Sequence, residues 1–493
     1  MNKLFFGDNL NWLRDVSIFP NDCVDLIYLD PPYNSKRGYN LLFKSPAGDM
    51  SEAQIEAFED TWHWNEQAER EFDELFHQQN TDVAEMMKSL RAFLGENDMM
   101  AYLTMMANRL IQLHRVLKPT GSIYLHCDPT ASHYLKVVMD AIFGKENFIN
   151  EIIWYKNSGG IGRTSFSKRH DTLLLYGKTE NYFYDGKALG ELREQEKGTF
   201  GGYFGKDEDG REYRECRKGG KVYKYYMDEP RNPEDVWEIA QIPERDKTER
   251  LGYPTQKPEA LLERVIKASS KPHGIVLDPF CGCGTAVHVA QKLKREWIGI
   301  DITHLAISLI EKRLKNAFKT GLEFEVHGTP KDLAGARNLA TRDKYQFQWW
   351  AVSLVEAQPF QGKKKGADTG IDGIKFFRDI DQKDVRKIVA SVKGGENLKA
   401  DDVRALNHVR EREGAEIALF ISLEETTKGM KADAASAGFY ESANGKKYAR
   451  IQLLTIEGLL DKSQRADHPD YDPNLNFRKA EVHPLVKQAE FGK

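Results

Sequence analysis

The sequence predicts an α/β protein built from two successive α/β cores. Three observations carry this. Short apolar runs that end in acids or turn residues alternate with helix-period segments up to about residue 320. That pattern breaks over residues 177–252, and a new alternation starts near Tyr345. At 493 residues the chain is also too long for one ordinary core. With 40% hydrophobic and 30% charged residues and a mean hydropathy of −0.59, it has apolar material for real cores and no run approaching a bilayer span. The opening residues lack the basic, apolar and small-residue order of a secretion signal and already carry an acid at Asp8, so the expected location is the cytoplasm. Cys23, Cys127, Cys216, Cys281 and Cys283 are odd in number and scattered, which predicts reduced thiols rather than a disulfide framework.

In chain order, Asp25 to Leu29 reads as a short buried strand. Pro31 and Pro32 must end it, because consecutive prolines remove two ladder donors. Residues 51–118 are rich in Glu, Ala, Met and Leu at helical spacing and are expected to be mostly helix. A strand from Gly121 to His126, a helix from Ser132 to Phe143 and a strand from Thr172 to Tyr176 follow. Residues 177–252 read as an inserted, loop-rich subdomain. Helix returns at Glu259 to Ala268. Then comes a complete βαβ unit: a strand from Gly274 to Asp278, a Gly-rich turn, a helix from Ala286 to Leu293 and a strand from Trp297 to Asp301. This alternation implies a largely parallel sheet. Residues 328–344 have linker composition. From 345 to 465 a helix, two strands, a helix, a strand, a helix and a final strand form the second core, and residues 466–493 are a tail.

The net charge of −4 conceals an uneven distribution. Residues 51–98 hold 13 acids against 3 basic residues, which leaves the remainder of the chain positive. The acidic block reads as a solvated helical face. From Arg211 to Lys224 six basic residues meet two acids, interleaved with Tyr213 and Tyr223, a cationic aromatic pattern suited to phosphates and bases. Trp62-His63-Trp64 reads as packing, and His126 as a hydrogen-bonded core histidine.

Two constellations carry chemistry. Asp278-Pro279-Phe280-Cys281-Gly282-Cys283-Gly284-Thr285 joins a strand to a helix through a tight turn where backbone approaches a ligand closely. Asp301, about 20 residues on, sits where an acid accepts hydrogen bonds from ribose hydroxyls. The same pattern serves a dehydrogenase or a purely structural turn. Asp30-Pro31-Pro32-Tyr33-Asn34 is more telling. An exocyclic amine needs acceptors for its hydrogens; the Asp30 carboxylate and a Pro31 carbonyl held rigidly outward supply them, while the Tyr33 ring offers a stacking surface.

These residues resemble the catalytic motif of amino-group DNA methyltransferases. Over roughly residues 1–320 the family's other segments follow in order. Asp278 to Thr285 resembles its S-adenosylmethionine loop, Tyr253-Pro254-Thr255-Gln256-Lys257-Pro258 the preceding segment that contacts the methionine portion, and Gly7-Asp8-Asn9-Leu10 the opening whose acid contacts adenine of the cofactor. Trp154-Tyr155-Lys156 and Ser167-Lys168-Arg169-His170-Asp171 resemble segments flanking the target-base pocket. The order of catalytic motif, variable segment and cofactor loop is that of circularly permuted, beta-class members.

The resemblance implies a Rossmann-like methyltransferase domain over 1–327, with 177–252 as target-recognition segment. It implies S-adenosylmethionine as cofactor, held by Asp8, Thr255, Lys257, Asp278, Pro279, Phe280, Gly282, Gly284, Thr285 and Asp301. Catalysis would rest on Asp30, Pro31, Pro32, Tyr33 and Asn34. Double-stranded DNA would be held by Lys168, Arg169, Arg214, Arg217 and Lys221. Within the family an Asp at the first motif position points to adenine N6, with cytosine N4 the alternative. A bacterial restriction-modification setting follows, and a homodimer and a cognate restriction enzyme stay open as partners. No membrane association is implied.

In the second core, Asp368-Thr369-Gly370-Ile371-Asp372-Gly373 and Ser391-Val392-Lys393-Gly394-Gly395 resemble Mrr-like restriction endonucleases of the PD-(D/E)XK fold. By that resemblance Asp372 would be a magnesium ligand, Lys393 the charge-stabilising lysine and Glu356 a helical ligand. Ser391 departs from the family's acid or glutamine, and a neutral hydroxyl binds magnesium weakly. The alternatives are an active nuclease or a domain that only tethers the chain to DNA. Lys363-Lys364-Lys365 suits either.

Overall fold

The computed structural model describes residues 2–32, 38–44, 50–59, 63–77, 81–156, 164–192, 203–243, 245–246, 248–251, 253, 255–318, 322–360, 370–380 and 385–469. Tyr33, Asn34, Trp62, Pro254, the three lysines at 363–365, Asp368 and Thr369 lie outside the described residues. A nine-stranded sheet forms the first core, in the order Val236–Glu238, Phe148–Tyr155, His170–Gly177, Leu117–Cys127, Val24–Leu29, Ile275–Asp278, Glu296–Asp301, Asn2–Phe6 and Phe324–His327. Only the two pairings made by His170–Gly177 are antiparallel, in line with the sequence reading. Central strands such as Val24–Leu29 are apolar almost throughout because helices cover both faces. Helix Asp98–Val116 lies on one face, capped by the Asn97 side chain, with Met100, Leu103, Met106, Leu110 and Leu113 fully buried. Helices Glu259–Ser269, Thr285–Lys292 and His304–Ala317 pack in a second apolar cluster.

Register is what positions the site. Leu277 pairs with Ile27, Asp278 with Gly299, and Phe6 with Asp301. The residues that follow these strands therefore leave the sheet at one edge, side by side. Strand His170–Gly177 runs the other way, so its first residues start at that same edge, with Thr172 opposite Cys127.

Two expectations are corrected. Residues 51–59 are not helix: Met50–Glu59 pairs antiparallel with Gly38–Lys44. A segment of helix-favouring composition is held as strand by its cross-strand partner, because tertiary pairing outweighs propensities of a few tenths of a kcal/mol. The helices begin at Glu66, with Glu66–Glu74, Thr81–Leu94 and Asp98–Val116. Residues 177–252 are also more ordered than loop-rich composition suggested. They hold an antiparallel meander of Tyr203–Lys206, Glu212–Lys218 and Lys221–Tyr226, and then the edge strand Val236–Glu238. Tight turns at Gly210 and at Gly219-Gly220, all at positive φ, join the meander strands.

The second core is a five-stranded sheet in the order Gln358–Pro359, Gly373–Arg378, Val385–Lys393, Ile417–Ser422 and Ile451–Thr455, flanked by helices Lys344–Leu354, Ala400–Arg412 and Lys428–Ser436. The segment of linker composition carries a helix, Leu333–Arg342, whose Ala336 and Leu339 are buried in the same apolar cluster as Ile307, Ile310 and Leu314 of the first core. No helix among the described residues is long and apolar enough to cross a membrane.

Gly284 is where backbone conformation and packing both exclude a side chain. Its φ is +73°, and a Cβ there would come within 2.7 Å of Ile310 Cγ1. Gly284→Ala is expected to destabilise the fold by about 1–3 kcal/mol. Urea unfolding would show it as a lower midpoint, whereas Gly210→Ala, at φ +81° with open space around it, should cost only the backbone term. Equal losses in the two variants would contradict the close approach to Ile310.

Candidate active site

One cavity of about 630 Å³ opens at the edge where the parallel strands end. Asp30, Pro31 and Pro32 line it from the strand Val24–Leu29, and Asp278, Pro279, Phe280, Gly282 and Thr285 from the Gly-rich turn. Asp8, Thr255, Lys257 and Asp301 complete its predicted lining. Of the predicted residues, Gly284 shapes the turn from behind instead of lining the cavity, and Tyr33 and Asn34 are outside the described residues.

The chain N-terminus is tied to the Gly-rich turn by side chains. Asn9 Nδ2 donates to the Pro279 carbonyl at 2.8 Å. Arg109, buried on the long helix, donates from Nε to Asn9 Oδ1 at 2.7 Å and from Nη2 to Asp8 Oδ1 at 2.8 Å. Asp8 also caps the helix Asn9–Arg14 by accepting from Leu10 N. Sequence reasoning missed Asn9 and Arg109. The signal for Asn9 was its place inside the opening motif; Arg109 lies in a run of apolar helix and gave none.

The turn is organised by a carboxylate. Asp301 Oδ2 accepts from Gly282 N at 2.9 Å, and Oδ1 accepts from Thr303 N and Thr303 Oγ1, each at 2.9 Å. Asp301 therefore shapes the turn as well as facing the cavity. Burial pushes its carboxyl up to about 6 despite those donors. Burial, with the neighbouring Asp30 and Asp301 charges, also holds Asp278 well above the usual carboxylate range.

Asp30 makes an ion pair with Lys257 through Oδ2. Lys257 thus reaches the acid of the Pro-Pro motif, a contact that the resemblance to a cofactor-contacting segment did not indicate. Beside them runs a buried polar chain. Tyr28, which also lines the cavity, places its hydroxyl 2.9 Å from His126 Nδ1; His126 Nε2 lies 3.2 Å from Asp171 Oδ2; and Lys156 Nζ donates to Asp171 Oδ1 at 2.6 Å. Burial lowers the His126 pKa, against the pull of the Asp30 and Asp171 charges. Burial opposes charge on Asp171, yet the hydrogen bonds and charges of His126 and Lys156 hold its carboxyl below the usual range. With Nε2–H donating to Asp171, Nδ1 accepts from Tyr28. His126 is a core histidine as expected, and it connects the cavity wall to the segment 167–171.

The residues expected to meet DNA do not share one surface. Lys168 is exposed and Arg169 half-buried just before strand His170–Gly177, at the edge that carries the cavity. In the meander Arg214 pairs with Tyr225 and Lys221 with Lys218, so Arg214 and Lys221 lie on one face. Arg217, 80% exposed, projects from the other, because strand side chains alternate.

In the second core Asp372 Oδ2 accepts from Val392 N at 2.6 Å and from Ser391 Oγ at 3.4 Å. Lys393 Nζ lies 3.6 Å from Asp402, and Glu356 contacts Lys375 at 3.4 Å. Glu356 thus turns to Lys375 on the neighbouring strand. Among the described residues no group of three His, Cys, Asp or Glu side chains is placed to hold a metal ion.

A family model described as DNA methylase, of the N6/N4 type, matches residues 24–312. The chain belongs to that family. A restriction endonuclease model matches residues 339–461, so the C-terminal domain is restriction-endonuclease-like. The chain is 27% identical over 309 residues to the type II methyltransferase M.BglII of Bacillus subtilis, a match covering 61% of this chain and 66% of that protein, just under two thirds of its length. It is 27% identical over 317 residues to the DNA adenine methyltransferase YhdJ of Escherichia coli K12, covering 63% and 82%. Among solved structures, the cytosine-N4-specific PvuII DNA methyltransferase aligns with a TM-score of 0.38 and 13% identity, over 66% of this chain and 89% of that one. The motif order read from the sequence, catalytic motif before Gly-rich turn, therefore stands in a DNA methylase whose first core is a largely parallel α/β sheet.

The half-buried Asp301, desolvated beneath the turn, gives stability a pH dependence. Its unfolded pKa is near 3.8 and its folded pKa about 6. Between these values the native state holds the extra proton, so stability falls as pH rises through this window, by up to about 3 kcal/mol. Asp301→Asn removes the titration along with some of the hydrogen bonds. The variant is expected to be less stable than wild type at pH 4, with the gap narrowing by pH 7. Thermal melts across that range check it, and parallel curves for the two proteins would contradict the assignment.

Proposed function

We propose that this chain transfers the methyl group of S-adenosylmethionine to the N6 amine of an adenine everted from double-stranded DNA. On this reading residues 1–327 are the modification domain of a restriction-modification system. The observation that carries the proposal is that Asp30-Pro31-Pro32 and the Gly282 turn line the same cavity.

The cavity chemistry suits the cofactor. Asp8, Asp30, Asp278 and Asp301 converge on it against Lys257 and Arg109, and desolvation disfavours the charged form of both Asp278 and Asp301. A ligand carrying a sulfonium and an ammonium supplies positive charge there. When bound, S-adenosylmethionine supplies an electrophilic methyl carbon.

The chain's own residues then do the positioning. Eversion of the base costs a few kcal/mol, which stacking on Tyr33 helps offset. The adenine amine is a poor nucleophile because its lone pair is delocalised into the ring. Asp30 and the Pro31 carbonyl accept its N–H hydrogens and direct the lone pair at the methyl carbon, while Lys257 fixes the orientation of the Asp30 carboxylate. Direct transfer needs no cysteine nucleophile, and burial raises the thiol pKa of both Cys281 and Cys283, which disfavours the thiolate. Adenine is favoured over cytosine by Asp at the first position of the motif and by the similarity to the DNA adenine methyltransferase YhdJ of Escherichia coli K12.

Incubation with duplex DNA and S-adenosylmethionine, followed by mass analysis of the nucleosides, tests this. N6-methyldeoxyadenosine is expected, and Asp30→Ala should lower its formation by about 10²-fold or more. N4-methyldeoxycytidine as the only product would overturn the choice of base, and no methylated nucleoside would overturn the activity.

For DNA contact, Arg214→Ala and Lys221→Ala should each weaken binding across sequences and lower the slope of log affinity against log salt by about 1. Unchanged slopes in a salt titration would remove the meander face from the DNA-binding surface.

A further inference from the structure

The C-terminal domain reaches the cofactor turn. Tyr253 lines the cavity and its ring packs on the turn, so that a Cβ at Gly282 would lie 3.2 Å from Tyr253 Cε1. Tyr253, Cys283 and Leu305 form a small buried cluster, and Trp349, from the first helix of the restriction-endonuclease-like match, packs against it. A second contact lies alongside. Gln346, on the same helix, accepts through Oε1 from His304 N at 3.1 Å. His304 opens the helix that follows Asp301 and Thr303, and its ring stacks on Phe6 with centroids 3.5 Å apart. Gln346 is itself held, its backbone N donating to Asp343 Oδ1 at 3.0 Å.

We propose that Trp349 and Gln346 are positioning residues for methyl-donor binding: the C-terminal domain forms the outer layer of the cofactor-site wall, acting on the Gly282 turn through Tyr253 and on Asp301 through the first turn of helix His304–Ala317. This rests on the methyl-donor reading of the cavity. The physical basis is preorganisation. The Gly282 turn has two residues at positive φ; Asp301 and the Tyr253 ring meet it at Gly282, while Asn9 and Arg313 hold the carbonyls of Pro279 and Cys283 on either side. A wall residue that loses its backing samples more positions, and a ligand must then bear the ordering cost. The coupling is reciprocal, so an occupied donor site also rigidifies the contact between the two domains.

The full-length chain tests this with two readouts. Titration calorimetry with S-adenosylmethionine should show Trp349→Ala weakening affinity about tenfold, Gln346→Ala a few-fold and Trp349→Phe little. Arg404→Ala, an exposed site on a helix away from this contact, should leave affinity at the wild-type value. Hydrogen exchange on the ligand-free proteins should show faster exchange in the peptide 281–285 for Trp349→Ala and Gln346→Ala. Wild-type affinity and exchange in Gln346→Ala and in a folded Trp349→Ala would overturn the proposal. If wild-type protein fails to bind S-adenosylmethionine while the variants still loosen peptide 281–285, the positioning role stands and the methyl-donor reading falls. If Trp349→Ala does not fold, Gln346→Ala and Trp349→Phe decide, and wild-type affinity and exchange in Gln346→Ala overturn the proposal.

Discussion

Gathering carboxylates at the ends of adjacent parallel strands is the constraint around which this molecule is built. Asp30 and Asp301 lie at or just past strand ends, Asp278 ends another, and Asp8 follows the strand Asn2–Phe6 by one glycine. Burial and mutual repulsion both oppose this arrangement. The fold answers each acid differently. Lys257 pairs with Asp30, Arg109 with Asp8, and Asp301 is surrounded by the amides of Gly282 and Thr303. Asp278 accepts one amide, from Phe280, and is left strongly perturbed. A site whose acids are compensated only in part is one prepared for a positively charged ligand.

The compensating groups also explain how distant sequence segments are bound together. Arg109 lies about a hundred residues from Asp8 and Asn9, and Asn9 in turn reaches Pro279. Each contact closes a long loop, so the N-terminal motif, the helix Asp98–Val116 and the Gly-rich turn depend on one another for their geometry. The chain of Tyr28, His126, Asp171 and Lys156 does the same between the Pro-Pro strand and the segment 167–171. These buried polar chains carry strict geometry, because leaving any member without its partner costs about 1–3 kcal/mol.

The parallel strands and the helices around them were legible because burial on both faces imprints continuous apolar runs, as at Leu26 to Leu29 and Val276 to Leu277. The two motifs were legible because prolines and closely spaced glycines have few structural uses. What could not be read were the partners. Lys257 on Asp30 and Arg109 on Asn9 are long-range pairings that no local spacing announces. The strand Met50–Glu59 was misread as helix because Glu and Ala favour helix, while its pairing with Gly38–Lys44 is set by tertiary context. The meander at 203–226 was hidden because its outward residues are Lys, Arg and Tyr on both faces of a small sheet, which removes the alternation that marks a half-buried strand.

The contact between the two domains alters how the C-terminal region is understood. A domain that served only as a DNA tether could hang from a flexible linker, yet residues 333–342 are helical, with Ala336 and Leu339 buried among residues of both cores, and Gln346 bonds the backbone of the helix that follows Asp301. Meanwhile Glu356 faces Lys375, and the Asp372 carboxylate accepts from Val392 N and Ser391. The same domain's Trp349 packs against the cluster of Tyr253, Cys283 and Leu305, and Gln346 bonds the His304 amide, so helix Lys344–Leu354 backs residues of the cavity wall.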